Sequence, residues 1–110
     1  MLYSLNHNWY KIADSLQDID FNSERTAQVI VDGKTVCLYL FEDSLKATAA
    51  TCPHAGGDLC DGYIDSIGNI VCPVHQYKFN LTNGRNVSGE GYFLKIYPVE
   101  VRDDGIWLGL

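Results

Sequence analysis

The chain is built from short runs of apolar residues that are separated by polar turns. Val, Ile, Leu, Tyr and Phe cluster in these runs, and Gly, Asp, Asn or Ser lies between them. No segment has a convincing helical period. Short strands bounded by turn residues are typical of β-sandwiches and β-barrels. The pattern therefore predicts an all-β fold, in one domain that covers residues 1–110.

The pattern also places the individual strands. They are predicted, in chain order, at Trp9–Ile12, Ala27–Val31, Thr35–Phe41, Lys46–Thr51, Ile64–Asp65, Asn69–Val71, Tyr77–Asn80, Phe93–Arg102 and Ile106–Leu110. Asp32 and Gly33 predict a tight hairpin, because Asp-Gly readily takes positive φ. The segment Ala13–Arg25 is predicted to be a loop with one helical turn. We expect the last three strands, with turns at Asn83-Gly84 and Asp103–Gly105, to form a β-meander.

The composition agrees with one ordinary globular domain. A length of 110 residues suits a single domain, and 46% hydrophobic with 20% charged residues is a common balance. The segment Met1–Asp14 lacks the apolar stretch of a signal peptide, so we predict a cytoplasmic protein. The apolar runs are far shorter than the roughly 20 residues that span a bilayer, so no membrane anchor is expected.

The formal net charge of -6 limits the classes of partner. Nucleic acid binding needs clustered Lys and Arg to displace counterions, so we do not expect a nucleic acid partner. If the charge has a binding role, it favours a basic protein partner. A net charge of this size is also explained by solubility alone.

Two pairs of Cys and His carry the clearest chemical signal. Cys52 and His54 are separated by one residue, Cys72 and His75 by two, and seventeen residues lie between the pairs. Each pair follows a predicted strand, so two loops can hold one metal centre at the tip of a β-scaffold. Cys2His2 also suits tetrahedral zinc, although zinc modules more often pair Cys with Cys and His with His.

This spacing resembles the motif of the Rieske iron-sulfur family. The likeness extends over the segments CPHAGGDLCDG (52–62), CPVHQYKF (72–79) and YPVEVRDDGIWLGL (97–110), which are similar to Rieske ferredoxins of the oxygenase-associated type. The resemblance implies a β-sandwich or barrel base with two cluster-binding loops at one tip.

The same resemblance implies one [2Fe-2S] cluster as the cofactor. Cys52 and Cys72 would hold the inner iron as thiolates, and His54 and His75 would hold the outer iron through neutral imidazole nitrogen. Two neutral ligands leave the cluster less negative than four thiolates do, so it accepts an electron more easily. A visible spectrum separates this assignment from a zinc site.

The implied function is electron transfer without catalysis. A Rieske ferredoxin accepts one electron from a reductase and passes it to a terminal oxygenase or a similar redox protein. The rim around the cluster would be formed by Ala55, Gly56, Val74 and Gln76. The small subunit of an assimilatory nitrite reductase is the main alternative, and a zinc-stabilised interaction module and a redox sensor are two others.

Three departures from the family pattern affect these expectations. The positions that carry a cross-loop disulfide in the membrane-complex branch are Gly57 and Val74, so that bridge is not expected. The Ser and Tyr that donate hydrogen bonds in the high-potential branch are replaced by Tyr77 and Phe79, which predicts a potential toward the low end of the range. The loop 88–92 has no proline, and its Glu90 is expected to be a solvated charge.

The other cysteines and the third histidine receive no ligand role. In a chain without a leader, cysteines are more often ligands or buried thiols than disulfides. We expect Cys37 to be a small buried core residue and Cys60 to pack near the cluster loops. His7 is far from both loops in sequence, and we assign it no function.

Overall fold

The computed structural model describes residues 7–53, 56–74, 76–87, 89 and 91–110. Its strands are β1 (Trp9–Ala13), β2 (Thr26–Val31), β3 (Lys34–Phe41), β4 (Ser44–Ala49), β5 (Tyr63–Ile64), β6 (Asn69–Val71), β7 (Lys78–Asn80), β8 (Ile96–Tyr97), β9 (Val99–Arg102) and β10 (Gly105–Gly109). Short 3-10 helices occur at Leu16–Asp18 and Leu59–Asp61. In the described ranges no helix is long and apolar enough to cross a membrane. The nearly all-β content confirms the predicted fold class.

The strands form three antiparallel sheets. Their orders are β1-β10-β9, β2-β3-β4-β8 and β5-β6-β7. The first two sheets enclose a core that includes buried residues from β2, β3, β4, β8 and β10. The third sheet leads into and out of the second Cys and His pair. The first two sheets are therefore the base of the molecule, and the third belongs to the tip.

Strand β3 lies between two cores because its side chains alternate. Val36 and Leu38 face the core of the base. Cys37 and Tyr39 point the other way and enter a second core, which surrounds the candidate site. All four residues are fully buried. Alternation with a period of two therefore makes this strand the connection between the base and the tip.

Two tight turns define the hairpins β2–β3 and β3–β4 of the base. Asp32 and Gly33 have φ values of 51° and 76°, which confirms the predicted turn between β2 and β3. A second turn, at Glu42 and Asp43, has φ values of 49° and 65°. Residues other than Gly rarely take positive φ, so this turn gave no signal in the sequence. Strand β4 therefore begins at Ser44, two residues before the predicted start.

The predicted C-terminal meander is wrong in its connection. The expected single strand over 93–102 is divided at Pro98, whose nitrogen cannot donate a hydrogen bond. Strand β8, before Pro98, pairs with β4 in one sheet. Strand β9, after Pro98, pairs with β10 in another. The chain therefore passes from one sheet of the base to the other at this proline.

Candidate functional site

The first ligand loop, residues 52–57, closes on itself through backbone hydrogen bonds. The N–H of Cys52 donates to the carbonyl oxygen of Gly57 at 2.8 Å, and the N–H of Gly56 donates to the carbonyl of Cys52 at 3.0 Å. Gly56 takes a φ of 70°, which favours glycine. These bonds hold the Cys52 side chain inward, where the residue is only 2% exposed.

The second ligand loop, residues 72–77, follows β6 and has a similar closure. The N–H of Cys72 donates to the carbonyl oxygen of Tyr77 at 2.8 Å. Gln76 has a φ of 56°, a turn conformation that its residue type did not predict. Cys72 is fully buried, whereas Val74 and Gln76 of the expected rim are exposed.

The two ligand loops pass each other at Gly57. A Cβ atom placed on Gly57 would lie 2.8 Å from Cγ2 of Val74 and 3.1 Å from Sγ of Cys72, so only glycine fits without a shift. The same atom would lie 3.4 Å from Cβ of Val74. That separation is close to the Cβ distance across a disulfide. The two positions expected from the resemblance are therefore neighbours, and this chain places Gly and Val there.

The thiols of Cys52 and Cys72 lie together at the centre of the two loops. Burial is the main cause that raises the pKa of Cys72 to about 11; the N–H of Val74 acts in the opposite direction, and the hydrogen bond with Cys52 acts with burial. Thiols become metal ligands by losing their protons, and a bound cation replaces that positive charge. A paired, buried dithiol with one N–H donor beside it fits an iron-sulfur centre.

The remaining expected ligands, His54 and His75, lie outside the described residues, as does Ala55 of the rim. In the part of the chain that the structure describes, no group of three or more His, Cys, Asp and Glu side chains is arranged to hold a metal ion. The structure thus brings together the two predicted cysteines. The full set of four ligands stays a prediction.

An apolar core supports the two thiols from below. Its other buried members are Cys37, Tyr39, Leu59, Cys60, Ile70, Phe79, Leu81 and Leu94. Phe79 is fully buried there, and Tyr77 packs against the same core. This core excludes water from the inner side of the site, where the thiolate charges would lie.

Tyr39 is a buried hydroxyl that the sequence patterns did not single out. Thr48 Oγ1 donates to the carbonyl oxygen of Ala49 at 2.8 Å, so the Tyr39 hydroxyl donates to Thr48 Oγ1 at 2.9 Å. Burial raises the pKa of Tyr39 well above its ordinary value. The proton of Tyr39 is therefore directed along β4 and does not serve the cysteine sulfurs.

A disulfide between Cys37 and Cys60 corrects the expectation of two unbridged thiols. Their Cα atoms are 5.7 Å apart, within the usual range for a bridge. Both residues are buried, as predicted for Cys37, and Cys60 does pack beside the ligand loops. Sequence alone did not show that β3 and the 3-10 helix at Leu59–Asp61 bring the two cysteines together. The bridge fastens the segment after the first ligand loop to β3.

The structure places His7 outside both ligand loops. His7 is next to Gly109, at the end of β10. Ser88 and Glu90 of the proline-free loop lie outside the described residues, so the prediction for Glu90 is not tested. Asn86 in the same region is held by a hydrogen bond from its N–H to the carbonyl oxygen of Tyr92 at 3.2 Å.

Comparison with known proteins identifies the family. The family described as "Rieske [2Fe-2S] domain" matches residues 8–97. The chain is 30% identical over 105 residues to the ferredoxin component of the naphthalene 1,2-dioxygenase/salicylate 5-hydroxylase systems of Ralstonia sp.. That alignment covers 94% of this chain and 97% of the relative.

Solved structures show the same fold. A Mycobacterium tuberculosis protein, named as the small subunit of an NADH-dependent nitrite reductase, superposes with a TM-score of 0.79 at 22% identity, over 94% of this chain and 96% of its own. A chain from a complex of oxygenase and ferredoxin in carbazole 1,9a-dioxygenase gives a TM-score of 0.76 at 26% identity, over 91% of each chain. The family match covers most of the sequence, so this chain belongs to the Rieske [2Fe-2S] domain family, whose cofactor is a [2Fe-2S] cluster.

Proposed function

We propose that the chain is a ferredoxin, a one-electron carrier with no catalytic turnover of its own. The observation that carries this proposal is the pair of buried thiols, Cys52 and Cys72, held together between two loops. The alignment with a ferredoxin component of dioxygenase systems supports it over nearly the full length of both proteins. We also propose that residues 1–110 form one domain.

The proposed ligands are Cys52 and Cys72 for the inner iron and His54 and His75 for the outer iron. The cluster supplies reversible one-electron chemistry when bound. The apolar core keeps water from the cysteine side, and the N–H of Val74 offers a hydrogen bond to the sulfur of Cys72. Hydrogen bonds to sulfur and solvent exposure are both determinants of cluster potential.

The proposed partners are a reductase that donates the electron and a terminal oxygenase, or a similar redox protein, that accepts it. The Ralstonia relative is named as a component of such oxygenase systems, which supports this choice. We also propose a cytoplasmic location. Cytoplasmic thiol pools keep most cysteines reduced, so blocking free thiols at lysis and counting them after denaturation tests this location against the Cys37–Cys60 bridge.

The small subunit of a nitrite reductase is the second candidate function. The structural likeness to the M. tuberculosis protein supports a shared fold, and at 22% identity it supports nothing finer. Purification from the native cell separates the two. A stable complex with a larger, siroheme-containing subunit would favour the nitrite reductase, whereas an isolated chain that cycles between two redox states would favour the ferredoxin.

The absorption and EPR spectra of the purified protein, before and after one-electron reduction, test the cofactor and its role together. We expect visible bands that bleach on reduction and an EPR signal that appears only in the reduced state. A colourless protein that contains zinc, with no reducible centre, would contradict the proposal.

Single variants test the proposed ligands. We expect Cys52→Ser, His54→Ala, Cys72→Ser and His75→Ala each to lose the Rieske spectrum and most of the bound iron and sulfide. Cys37→Ser and Cys60→Ser are matched controls, because they remove a sulfur from the same core without removing a proposed ligand. A Cys60→Ser protein without a cluster, beside a Cys52→Ser protein with an intact one, would overturn the assignment.

A further inference from the structure

Charge is unevenly distributed along the chain. Residues 66–99, which include the second ligand loop, contain the basic residues Lys78, Arg85 and Lys95 and a single acidic residue, Glu90. The other 13 of the 14 acidic residues lie before or after this segment. The net charge of -6 therefore does not describe this segment of the chain, which has three basic residues and one acidic residue.

Residues 84–87 extend the third sheet beyond β7. The N–H of Asn80 donates to the carbonyl oxygen of Arg85 at 2.9 Å, and the N–H of Val87 donates to that of Lys78 at 3.0 Å. On its other side, Arg85 forms an antiparallel bridge with Phe93. These pairings place Arg85, Val87 and Phe93 on one irregular sheet edge.

The side chains of this edge divide into an inner and an outer set. Phe79 and Leu94 point inward and are buried in the core below the thiols. Arg85 and Val87 are two residues apart, and Phe93 is the bridge partner of Arg85, so these three share the opposite side. Val87 is 49% exposed and Phe93 is 66% exposed. We call these three residues the outer face.

The outer face adjoins a residue that contacts the second ligand loop. The ring of Tyr92, next to Phe93, contacts the ring of Tyr77 with centroids 6.5 Å apart. The carbonyl oxygen of Tyr77 accepts the N–H of Cys72. Within the described part of the chain, the Arg85 guanidinium has neither a salt bridge nor a hydrogen bond. An exposed cation and two exposed apolar side chains thus lie on the sheet edge whose neighbouring residue, Tyr92, contacts this loop.

We propose that the outer face docks an acidic surface on a redox partner. This inference rests on the proposed function as an electron carrier and adds the charge of the partner and the side of the tip that it meets. Val87 and Phe93 would supply the apolar contact, and Arg85 would attract and orient carboxylates. The net charge alone favours a basic partner, so the two expectations differ in the sign of the charge on the partner's surface.

Small redox complexes of known charge test the electrostatic potential around the point of electron exit, and they do not require an identified partner. The reduced, cluster-loaded protein is mixed with the anion tris(oxalato)cobaltate(III), which takes one electron from the reduced cluster and becomes cobalt(II). If the outer face lies at the point of electron exit, the second-order rate constant falls as ionic strength rises, because opposite charges are screened. The cation hexaamminecobalt(III) is expected to show the reverse dependence.

Two charge reversals then locate the effect. Arg85→Glu and Lys34→Glu change the net charge equally, and Lys34 is an exposed residue at the start of β3, beside the Asp32-Gly33 turn. At about 0.1 M ionic strength, where the screening length is about 10 Å, only charges near the exit point act strongly. We expect Arg85→Glu to slow the anionic oxidant by about threefold or more and Lys34→Glu to leave its rate within about 1.5-fold.

Equal rates for the two variants, or an anionic oxidant that speeds up with salt, would overturn the docking proposal. The spectra of both variants are recorded first, and Arg85→Gln replaces Arg85→Glu if the latter does not hold a cluster. If the protein has a reducible Rieske spectrum but the two variants react at equal rates, the proposed electron carrier function stands and only the docking proposal for the outer face fails. If the protein has no reducible centre, the proposed function itself is contradicted.

Discussion

Single residues determine how closely the two ligand loops approach. At Gly57, an added Cβ would meet Val74 at 2.8 Å and the sulfur of Cys72 at 3.1 Å. We expect Gly57→Ala to displace one of these groups and to lower cluster retention, measured as iron per protein and as the half-life of the visible bands. The physical reason is contact across the loops, since φ at Gly57 is not in the left-handed region.

Gly56→Ala is the matched control for this prediction. Gly56 has a φ of 70°, and no atom of the described residues lies within 4 Å of an added Cβ. The substitution is expected to cost about 1 kcal/mol of backbone strain without touching the second loop. If both variants keep their cluster equally long, close packing at Gly57 is not needed for retention.

The chemical role of a residue was predictable from the sequence only where the spacing between residues indicated it. The separation of Cys52 from Cys72 marked the two cysteines that the structure places together. Neither the N–H of Val74 nor the hydroxyl of Tyr39 had such a signal, because their partners are set by tertiary contacts. The turn at Glu42 and Asp43 was missed for a related reason, since local propensity opposes the φ values found there.

The Cys37–Cys60 disulfide links two elements, β3 and the 3-10 helix after the first ligand loop. The cysteines are 23 residues apart, and a loop of that size gives about 3 kcal/mol of stabilisation in the chain-entropy account. We expect a Cys37→Ala/Cys60→Ala variant to lose about this much unfolding free energy in urea while still binding its cluster.

Treatment with a dithiol gives the control for the disulfide prediction. The reductant should destabilise the original protein and leave the double variant unchanged. An equal response in both would show that the reductant acts elsewhere. A variant as stable as the original would show that the bridge contributes nothing.

The β5–β6 hairpin depends on Asp65, whose carboxylate organises the turn. It accepts the N–H groups of Ile67 and Asn69 at 3.0 and 2.9 Å and the side-chain amide of Asn69 at 3.1 Å. Burial alone raises the pKa of Asp65, but these hydrogen bonds and the attraction of Lys78 outweigh it, so the pKa is lowered. Folding therefore favours the charged form of this side chain.

The lowered pKa of Asp65 determines how the stability of the protein depends on pH. A lowered folded pKa contributes stability that is present above the unfolded value, about 3.9, and is lost as pH falls through the folded pKa. We expect Asp65→Asn to lower stability by about 1 kcal/mol at pH 7 and by less near pH 3, in urea unfolding. Asp103→Asn, in an exposed turn, is the control. An Asp65→Asn deficit that does not shrink in acid would contradict the assignment.

At the scale of elements, alternation and turn chemistry predicted most strands but not their sheet membership. The apolar run of β3 indicated a buried strand, and the structure adds that its two faces serve different cores. The segment 93–102 looked like one strand because apolar residues continue through it, yet its halves belong to different sheets. Sheet membership depends on contacts between distant segments, which a periodic pattern does not encode.

The whole molecule combines a packed base with a tip that holds the proposed ligands. The base core contains no proposed ligand, whereas the tip core contains Cys52 and Cys72 among its buried residues. β3 contributes side chains to both cores, so we expect the β2-β3-β4-β8 sheet to resist movement of the ligand loops. A rigid tip is suited to electron transfer, because the distance between redox centres is then fixed by docking alone.

The chemistry of the imidazole ligands proposed at the tip predicts how the whole protein responds to pH. His54 and His75, as ligands, would each keep one ring N–H. Ferric iron withdraws electron density from the ring and lowers the pKa of that group more than ferrous iron does. The oxidised protein therefore loses the proton first. Above that point, gaining an electron also means gaining a proton, so the potential should be level in acid and fall in alkaline solution.

The slope in the alkaline range is expected to reach about 59 mV per pH unit for each coupled proton. Protein-film voltammetry from mildly acid to strongly alkaline pH measures it. Cys37→Ser, which keeps all four proposed ligands, should follow the same curve as the original protein. Because a cluster held by four thiolates has no ligand N–H to lose, a level potential at every pH would mean that His54 and His75 do not bind the redox-active iron or are sealed from water.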